Sequence, residues 1–87
     1  MPVSLERWIQ KFFPENAGEA RKLLAAYGTE AWHREPERVK RDAVILSRGS
    51  LEKLREVVRL AQTDYRDVLI GEEVDPWLME QLRHPPA

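Results

Sequence analysis

The chain has 87 residues, 43% of them hydrophobic and 33% charged, with a net charge of −1 at pH 7. This length suits a single domain, 1–87, that buries only about 60 to 65% of its unfolded surface, and the composition argues against extended disorder. The absence of cysteine excludes a disulfide framework, thiol catalysis and a cysteine-ligated zinc site. Because no signal peptide pattern and no long apolar run is present, we expect a soluble cytoplasmic protein without a membrane span.

Two short amphipathic helices are predicted in the first third of the chain. Ser4 can cap the first helix, which carries an aromatic-rich face and stops at Pro14 because proline cannot donate the next hydrogen bond. The spacing of Asn16 and Glu19 predicts a capping box at the start of the second helix. The apolar stripe of that helix, which extends to Gly28, consists of Ala17, Ala20, Leu23, Leu24 and Tyr27.

Proline and glycine mark the ends of a third helix. Thr29 can cap a further turn that reaches His33, but Pro36 disfavours helical geometry at the residue before it and so begins a new helix. Gly49 closes this helix. Since only Ser50 separates it from the next helix, we expect the two to form an antiparallel pair.

The longest predicted helix, 51–70, is the element around which we expect the fold to be organised. Its apolar residues recur at spacings of three and four, which places them on one stripe of a helix roughly 30 Å long. They are Leu51, Leu54, Val58, Ala61, Tyr65 and Val68. Ser50 can cap the start of the helix, and Gly71 can end it in the left-handed conformation.

A short last helix is predicted after an acidic link with the sequence EEVD. Asp75 can cap this helix, Pro76 can occupy its first position, and the helix ends before Pro85. No strand pattern competes with these helices. The sequence therefore predicts an all-α fold, a compact bundle of about five helices built on 51–70.

The charge is distributed unevenly along the chain. Residues 34–59 hold eight basic and five acidic side chains, whereas residues 60–87 hold two basic and six acidic ones. The candidate basic patch consists of Arg34, Arg38, Lys40, Arg41 and Arg48. The simpler interpretation is a solvated helix face, and the alternative is a nucleic-acid-binding module that uses the stretch 34–55. Interspersed acidic residues and the negative net charge count against that alternative.

The segment TDYRD, 63–67, is the unusual feature of the long helix. Two of its residues are aspartates in the second half of the helix, where the helix dipole disfavours negative charge. We identify Asp64, Tyr65, Arg66 and Asp67 as a candidate polar network or interaction site. The structural interpretation, which we favour, is that the carboxylates contact arginines of 34–48 or the start of another helix. The functional interpretation is a site that is kept at a cost in stability.

Motifs for catalysis, cofactors or metals are not found in the sequence. The four glycines are isolated, so no phosphate loop is present, and the serines are explained as caps or turn residues. His33 and His84 have no second histidine at ligand spacing, and we expect both at the surface. We therefore predict no catalytic, cofactor or metal site.

Residues 36–69, PERVKRDAVILSRGSLEKLREVVRLAQTDYRDVL, are similar to a pattern in small uncharacterised bacterial proteins. The pattern consists of a helix, a glycine turn and a long helix that ends in Asp-Tyr/Trp-Arg-Asp-Val/Leu-Leu. The resemblance implies a helical hairpin and no particular activity.

The leading hypothesis for function is a module that binds another protein or a second copy of itself. It is based on the lack of catalytic motifs together with several amphipathic helices, an aromatic-rich face and a small size. The nucleic-acid-binding module is the first alternative. The second is an enzyme with an acidic site around Asp64 and Asp67.

Overall fold

Six helices make up the protein in the computed structural model, which describes residues 3–30, 33 and 35–86. They are α1 (Leu5–Phe12), α2 (Ala17–Leu24), α3 (Pro36–Ser47), α4 (Leu51–Leu69), α5 (Gly71–Val74) and α6 (Pro76–Arg83). No strand occurs within those ranges, so the predicted all-α fold is confirmed. The predicted turn at Thr29–His33 includes residues 31 and 32, which lie outside the described residues.

Three of the predicted N-terminal caps are present. The Ser4 hydroxyl accepts a hydrogen bond from a backbone N–H of α1, and the Ser50 hydroxyl accepts one from the Lys53 N–H at 3.1 Å. The Asp75 carboxylate accepts from the Trp77 N–H at 2.9 Å. Because these side chains occupy backbone donors that no helical carbonyl reaches, they fix where α1, α4 and α6 begin.

Two predictions about α2 are wrong. Asn16 occupies the cap position, but its side chain makes no capping hydrogen bond. The helix also ends at Leu24 rather than near Gly28, although Tyr27 is buried as its place on the apolar stripe predicts. The chain leaves the helix through a turn whose carbonyl at Ala26 accepts from the Gln62 side chain at 3.0 Å, so a tertiary contact stabilises this early end.

The turn between α3 and α4 depends on glycine. Arg48 (φ 52) and Gly49 (φ +86) both adopt the left-handed conformation, which reverses the chain within three residues. A Cβ atom on Gly49 would lie 3.1 Å from the Phe12 carbonyl oxygen, so backbone of α1 packs directly on the turn. The reversal brings α3 and α4 into the most extensive contact between any two helices, as the predicted hairpin requires.

The long helix differs from its prediction at two points. Asp64 has non-helical dihedral angles (φ −154, ψ 99), so α4 consists of two helical segments joined at a kink. Gly71 is not a left-handed terminator. It begins α5, and the acidic stretch predicted as a link is helical. Residues 3–30, 33 and 35–86 therefore form six helices rather than the predicted five.

One hydrophobic core holds the helices together. Its buried side chains are Trp8, Ile9, Phe13, Ala20, Leu24, Tyr27, Val39, Ala43, Val44, Ile45, Leu54, Val57, Val58, Ala61, Val68 and Leu78. The aromatic face of α1 is covered within the subunit, where Phe12 meets Trp77 edge to face at 6.1 Å. The Trp77 indole donates to the Ile45 carbonyl at 2.8 Å. No helix in the described part of the chain is long and apolar enough to cross a membrane.

Candidate functional site

The kink in α4 explains one of the two unusual aspartates. The Asp64 carboxylate accepts from the backbone N–H of Arg66 at 3.0 Å and lies 3.4 Å from the Arg66 guanidinium. This is the geometry of an N-terminal cap, so Asp64 begins the second segment of α4, where the helix dipole favours negative charge. Of the two partners predicted for Asp64, the start of a helix is found, although that helix is the second segment of α4 itself, and no described arginine of 34–48 contacts the carboxylate. Tyr65 is half-buried and packs against the core.

Asp67 has no such explanation. It is exposed in the last turn of α4 and makes no hydrogen bond or ion pair with any described residue. The structural interpretation predicted a contact outside its own helix, and none of the described residues makes one. An aspartate at this position lowers the stability of the helix slightly. Asp64, Tyr65, Arg66 and Asp67 therefore do not form one polar network.

The arginines of the candidate basic patch bind a different acid. The Arg38 Nε donates to the Glu72 Oε1 at 2.8 Å, and the Arg41 guanidinium donates to the same oxygen at 2.7 Å. Arg38 also pairs with Glu35 at 3.2 Å. Glu72 lies on α5, so these ion pairs tie α5 to α3. Two cations of the patch are thereby neutralised.

The remaining patch residues do not extend this basic surface. Arg48 is at the other end of α3, with its guanidinium over the Trp77 ring at 4.6 Å. Lys40 is half-buried, and Arg34 lies outside the described residues. The structure therefore distributes the basic stretch over separate contacts.

Arg38, Arg41 and Asp42 of α3 and Glu72 of α5 form a group that we call the α3–α5 cluster. Asp42 is its central member, and it was not identified as a candidate from the sequence. Its side chain is fully buried. One carboxyl oxygen, Oδ1, accepts from the Arg41 guanidinium at 3.0 Å. The other, Oδ2, is buried and receives no hydrogen bond from the described residues, and the carboxyl group lies within hydrogen-bonding reach of Glu72. Two carboxyl groups therefore meet at a site from which water is largely excluded.

This environment separates the two acids electrostatically. Burial, together with the neighbouring Glu72, raises the pKa of Asp42 to about 8. The hydrogen bonds from Arg38, in contrast, lower the pKa of Glu72 to about 2. The two shifts are opposite in direction, so Asp42 is the carboxyl group of the pair that retains its proton to higher pH.

The sequence contained a signal for Asp42. It lies three residues after Val39 and four before Leu46, on the apolar stripe of α3, where a charged residue is rarely buried without a partner. Its partner Glu72 gave no signal, because it is remote in sequence and belonged to a segment predicted as a link. An acid on an apolar stripe thus indicated a polar contact without identifying it.

An exposed apolar surface lies beside this cluster. Among the described residues the large apolar side chains that stay exposed are Leu60 (42%), Ile70 (54%) and Val74 (64%). Ile70 and Val74 are one helical turn apart, because the Val74 N–H donates to the Ile70 carbonyl at 3.2 Å. Asp67 and Glu73, both exposed, lie three residues before and after Ile70. We call Asp67, Ile70, Glu73 and Val74 the α4–α5 surface.

Other candidate features have structural explanations. His33 is buried rather than exposed as predicted: its ring stacks on Tyr27 at 4.4 Å, and its Nδ1 accepts from the Gly28 N–H at 2.9 Å. Two grooves of about 400 Å³ flank the start of α1, and both are lined by Ser4. Neither groove is lined by Asp64 or Asp67. No cluster of metal-ligating side chains is found in the described ranges.

Comparison with known proteins gives no match. No family model fits the sequence, and no curated protein or solved structure is significantly similar to it. The resemblance of residues 36–69 to small bacterial proteins therefore stays a prediction.

Proposed function

We propose that this chain is a protein-binding module and that the α4–α5 surface receives a basic, amphipathic segment of a partner protein. The observation that carries the proposal is the pairing of two exposed apolar side chains with unpartnered carboxylates. Ile70 and Val74 are the most exposed large apolar residues described, and Asp67 and Glu73 form no ion pair with the described residues. Apolar side chains rimmed by charge are typical of binding surfaces.

The chemistry of the surface indicates the chemistry of its partner. Lys or Arg side chains would neutralise Asp67 and Glu73, while an apolar side chain between them would cover Ile70 and Val74. Such complementarity selects the partner and speeds its association. It also accounts for Asp67, whose carboxylate lowers helix stability and has no compensating contact with the described residues.

A partner segment fits this surface better than a second copy of the chain does. A stable dimer buries about 800 Å² on each subunit, far more than two aliphatic side chains provide. The aromatic face of α1, the other reason to expect a dimer, is already covered by the core.

The alternatives have less support. A nucleic-acid-binding module would need free cations, yet Arg38 and Arg41 are bound by Glu72. An acidic enzyme site around Asp64 and Asp67 would need the two carboxylates to meet in a cleft. Asp64 is instead occupied in capping, and Asp67 faces solvent.

A defined peptide tests the proposal. The probe is a short synthetic helical peptide with leucines on one face and lysines on the other, added to ¹⁵N-labelled protein and followed by NMR. We expect chemical shift changes centred on the α4–α5 surface. Replacing one buried Ile or Val contact should cost about 1.5 to 3 kcal/mol. Ile70→Ser and Val74→Ser should therefore each weaken binding by about tenfold or more.

Two controls make the result specific. A peptide with glutamate in place of lysine should not bind, and Leu60→Ser, which alters an exposed leucine outside the surface, should bind like the wild type. Equal binding of both peptides would contradict the proposal. So would shifts confined to another surface, or light scattering that shows a dimer whose contacts occupy Ile70 and Val74.

A further inference from the structure

We infer that Asp42 and Glu72 share a single proton. This shared proton, which we call the latch, holds α5 against α3 and so fixes the position of the α4–α5 surface. The second half of the inference rests on the proposed function, because α5 carries Glu73 and Val74. The first half concerns the free protein and stands without it.

The buried oxygen of Asp42 supports the shared proton. Within the described residues Oδ2 has no N–H or O–H donor, and the adjacent Glu72 carboxylate is itself an acceptor. Two ionised carboxylates in contact would repel each other and leave this oxygen unsatisfied. A proton on Asp42 removes both problems, because the carboxyl group then donates to Glu72.

The charge of the cluster leads to the same conclusion. Arg38 and Arg41 supply two positive charges, and Glu35 and Glu72 balance them. An ionised Asp42 would add a third negative charge against these two cations, and it would have to share Arg41 with Glu72. Apart from each other, the charged groups that shift the pKa values of Asp42 and Glu72 are Arg38 and Arg41, both of α3. The cluster is therefore neutral only when Asp42 is protonated.

Loss of the proton would act on α5 before the rest of the fold. A buried pair of negative charges is relieved most easily by moving Glu72 into solvent, where its side chain is already 16% exposed. Four residues are too few to hold a helix without tertiary contacts, and α5 also packs on α4 and α6, so the ion pairs of Glu72 are the part of its attachment that reaches the arginines of α3. Deprotonation of Asp42 would then loosen α5 and displace Val74 from Ile70.

The test follows α5 by NMR in the intact protein from about pH 5 to about pH 9, a range that includes the Asp42 pKa of about 8. We expect the amide chemical shifts of residues 71–74 to change across the upper half of this range. Their protection from amide hydrogen exchange, measured against the intrinsic exchange rate at each pH, should fall. The matched variant is Asp42→Asn, since its amide can donate to Glu72 and accept from Arg41 but cannot titrate. It should fold and keep α5 attached at every pH.

Several outcomes would overturn the latch. One is an α5 that does not respond to pH in the wild type. Another is an identical response in Asp42→Asn. Failure of Asp42→Asn to fold would also contradict it, because this variant reproduces the protonated hydrogen-bonding pattern. Glu72→Gln provides a second check: with a neutral neighbour, Asp42 should ionise beside Arg41, so its titration should move to lower pH.

The leucine–lysine peptide separates this inference from the proposed function. If α5 titrates as expected but the peptide never binds, the latch stands and the proposed function fails. If the peptide binds the α4–α5 surface while α5 is indifferent to pH, the function stands and the latch fails. If both hold, the affinity of the wild type for the peptide should fall as the pH rises and Asp42 loses its proton. The same fall should be absent in Asp42→Asn.

Discussion

Replacing Leu54 by alanine should be among the most destabilising single changes in this protein. The side chain is fully buried in the core between the helices. Removing its three outer carbon atoms forfeits about 2 to 2.5 kcal/mol of transfer free energy. An unfilled volume of the order of 60 Å³ would add about 1.5 kcal/mol, which gives a loss of about 2 to 5 kcal/mol. A domain of this size has a total stability of only about 4 to 13 kcal/mol.

Urea denaturation followed by circular dichroism measures this loss. At a slope of about 1 kcal/mol per molar urea, the midpoint should fall by roughly 2 to 5 M. Leu60→Ala is the matched control on the same helix, since Leu60 is 42% exposed, and it should cost less than about 1 kcal/mol. The reasoning is refuted if Leu54→Ala costs under about 0.5 kcal/mol, or no more than Leu60→Ala does.

Three further predictions concern the turn, the unpaired aspartate and the pH profile. Gly49→Ala should lower the free energy of unfolding by about 1 to 2 kcal/mol, and with it the thermal midpoint, because Gly49 has a φ of +86 and the Phe12 carbonyl lies close to it. Gly18→Ala, in a helix with open space around the new Cβ atom, should be neutral or stabilising. Equal thermal midpoints for the two variants would contradict this. Asp67→Asn should stabilise the fold by a few tenths of a kcal/mol in urea titrations, and a loss above about 1 kcal/mol would reveal a contact the structure lacks. The pKa of Asp42 is about 8 in the folded protein against an ordinary value of 3.8, so between these pH values the folded state binds a proton that the unfolded state has lost. Stability should therefore fall as the pH rises through this range, by at most tenfold in the unfolding equilibrium per pH unit. Glu72, whose pKa is lowered to about 2, should have the opposite effect below about pH 4.5, and a wild-type profile that matches Asp42→Asn between about pH 5 and pH 8 would rule the first effect out.

Local chemistry made much of the fold predictable. Ser4, Ser50 and Asp75 indicate where helices begin, because the side chain of each can accept a hydrogen bond from a backbone N–H in the first turn of the helix that follows. Apolar spacing placed Leu54 and Val58 in the core for a similar reason, since helical periodicity alone decides which residues share a face.

Features that depend on contacts remote in sequence could not be predicted in this way. The early end of α2 involves a bond from Gln62, and the short helix α5 is held by arginines more than thirty residues away. The kink at Asp64 was an intermediate case. Its aspartate was recognised as a poor helix residue, but the periodic stripe across it favoured a continuous helix.

The candidate site shows the same division. Asp67 was singled out because it conflicts with the helix dipole, a rule that needs only local sequence. The arginines were recognised as basic but not as bound, since their partner Glu72 is brought to them by the fold. Asp42 needed both kinds of information: its place on an apolar stripe is local, and its proton depends on Glu72.

The protonation state of Asp42 is the claim on which the account of α5 depends most directly. It can be measured from the ¹³C chemical shift of the carboxyl carbon as a function of pH in the wild-type protein. The account predicts that Asp42 keeps its proton through neutral pH and titrates near the pKa of about 8, while Glu72 stays ionised down to about pH 2. An Asp42 carboxyl group that titrates near the ordinary aspartate pKa of 3.8 would contradict it.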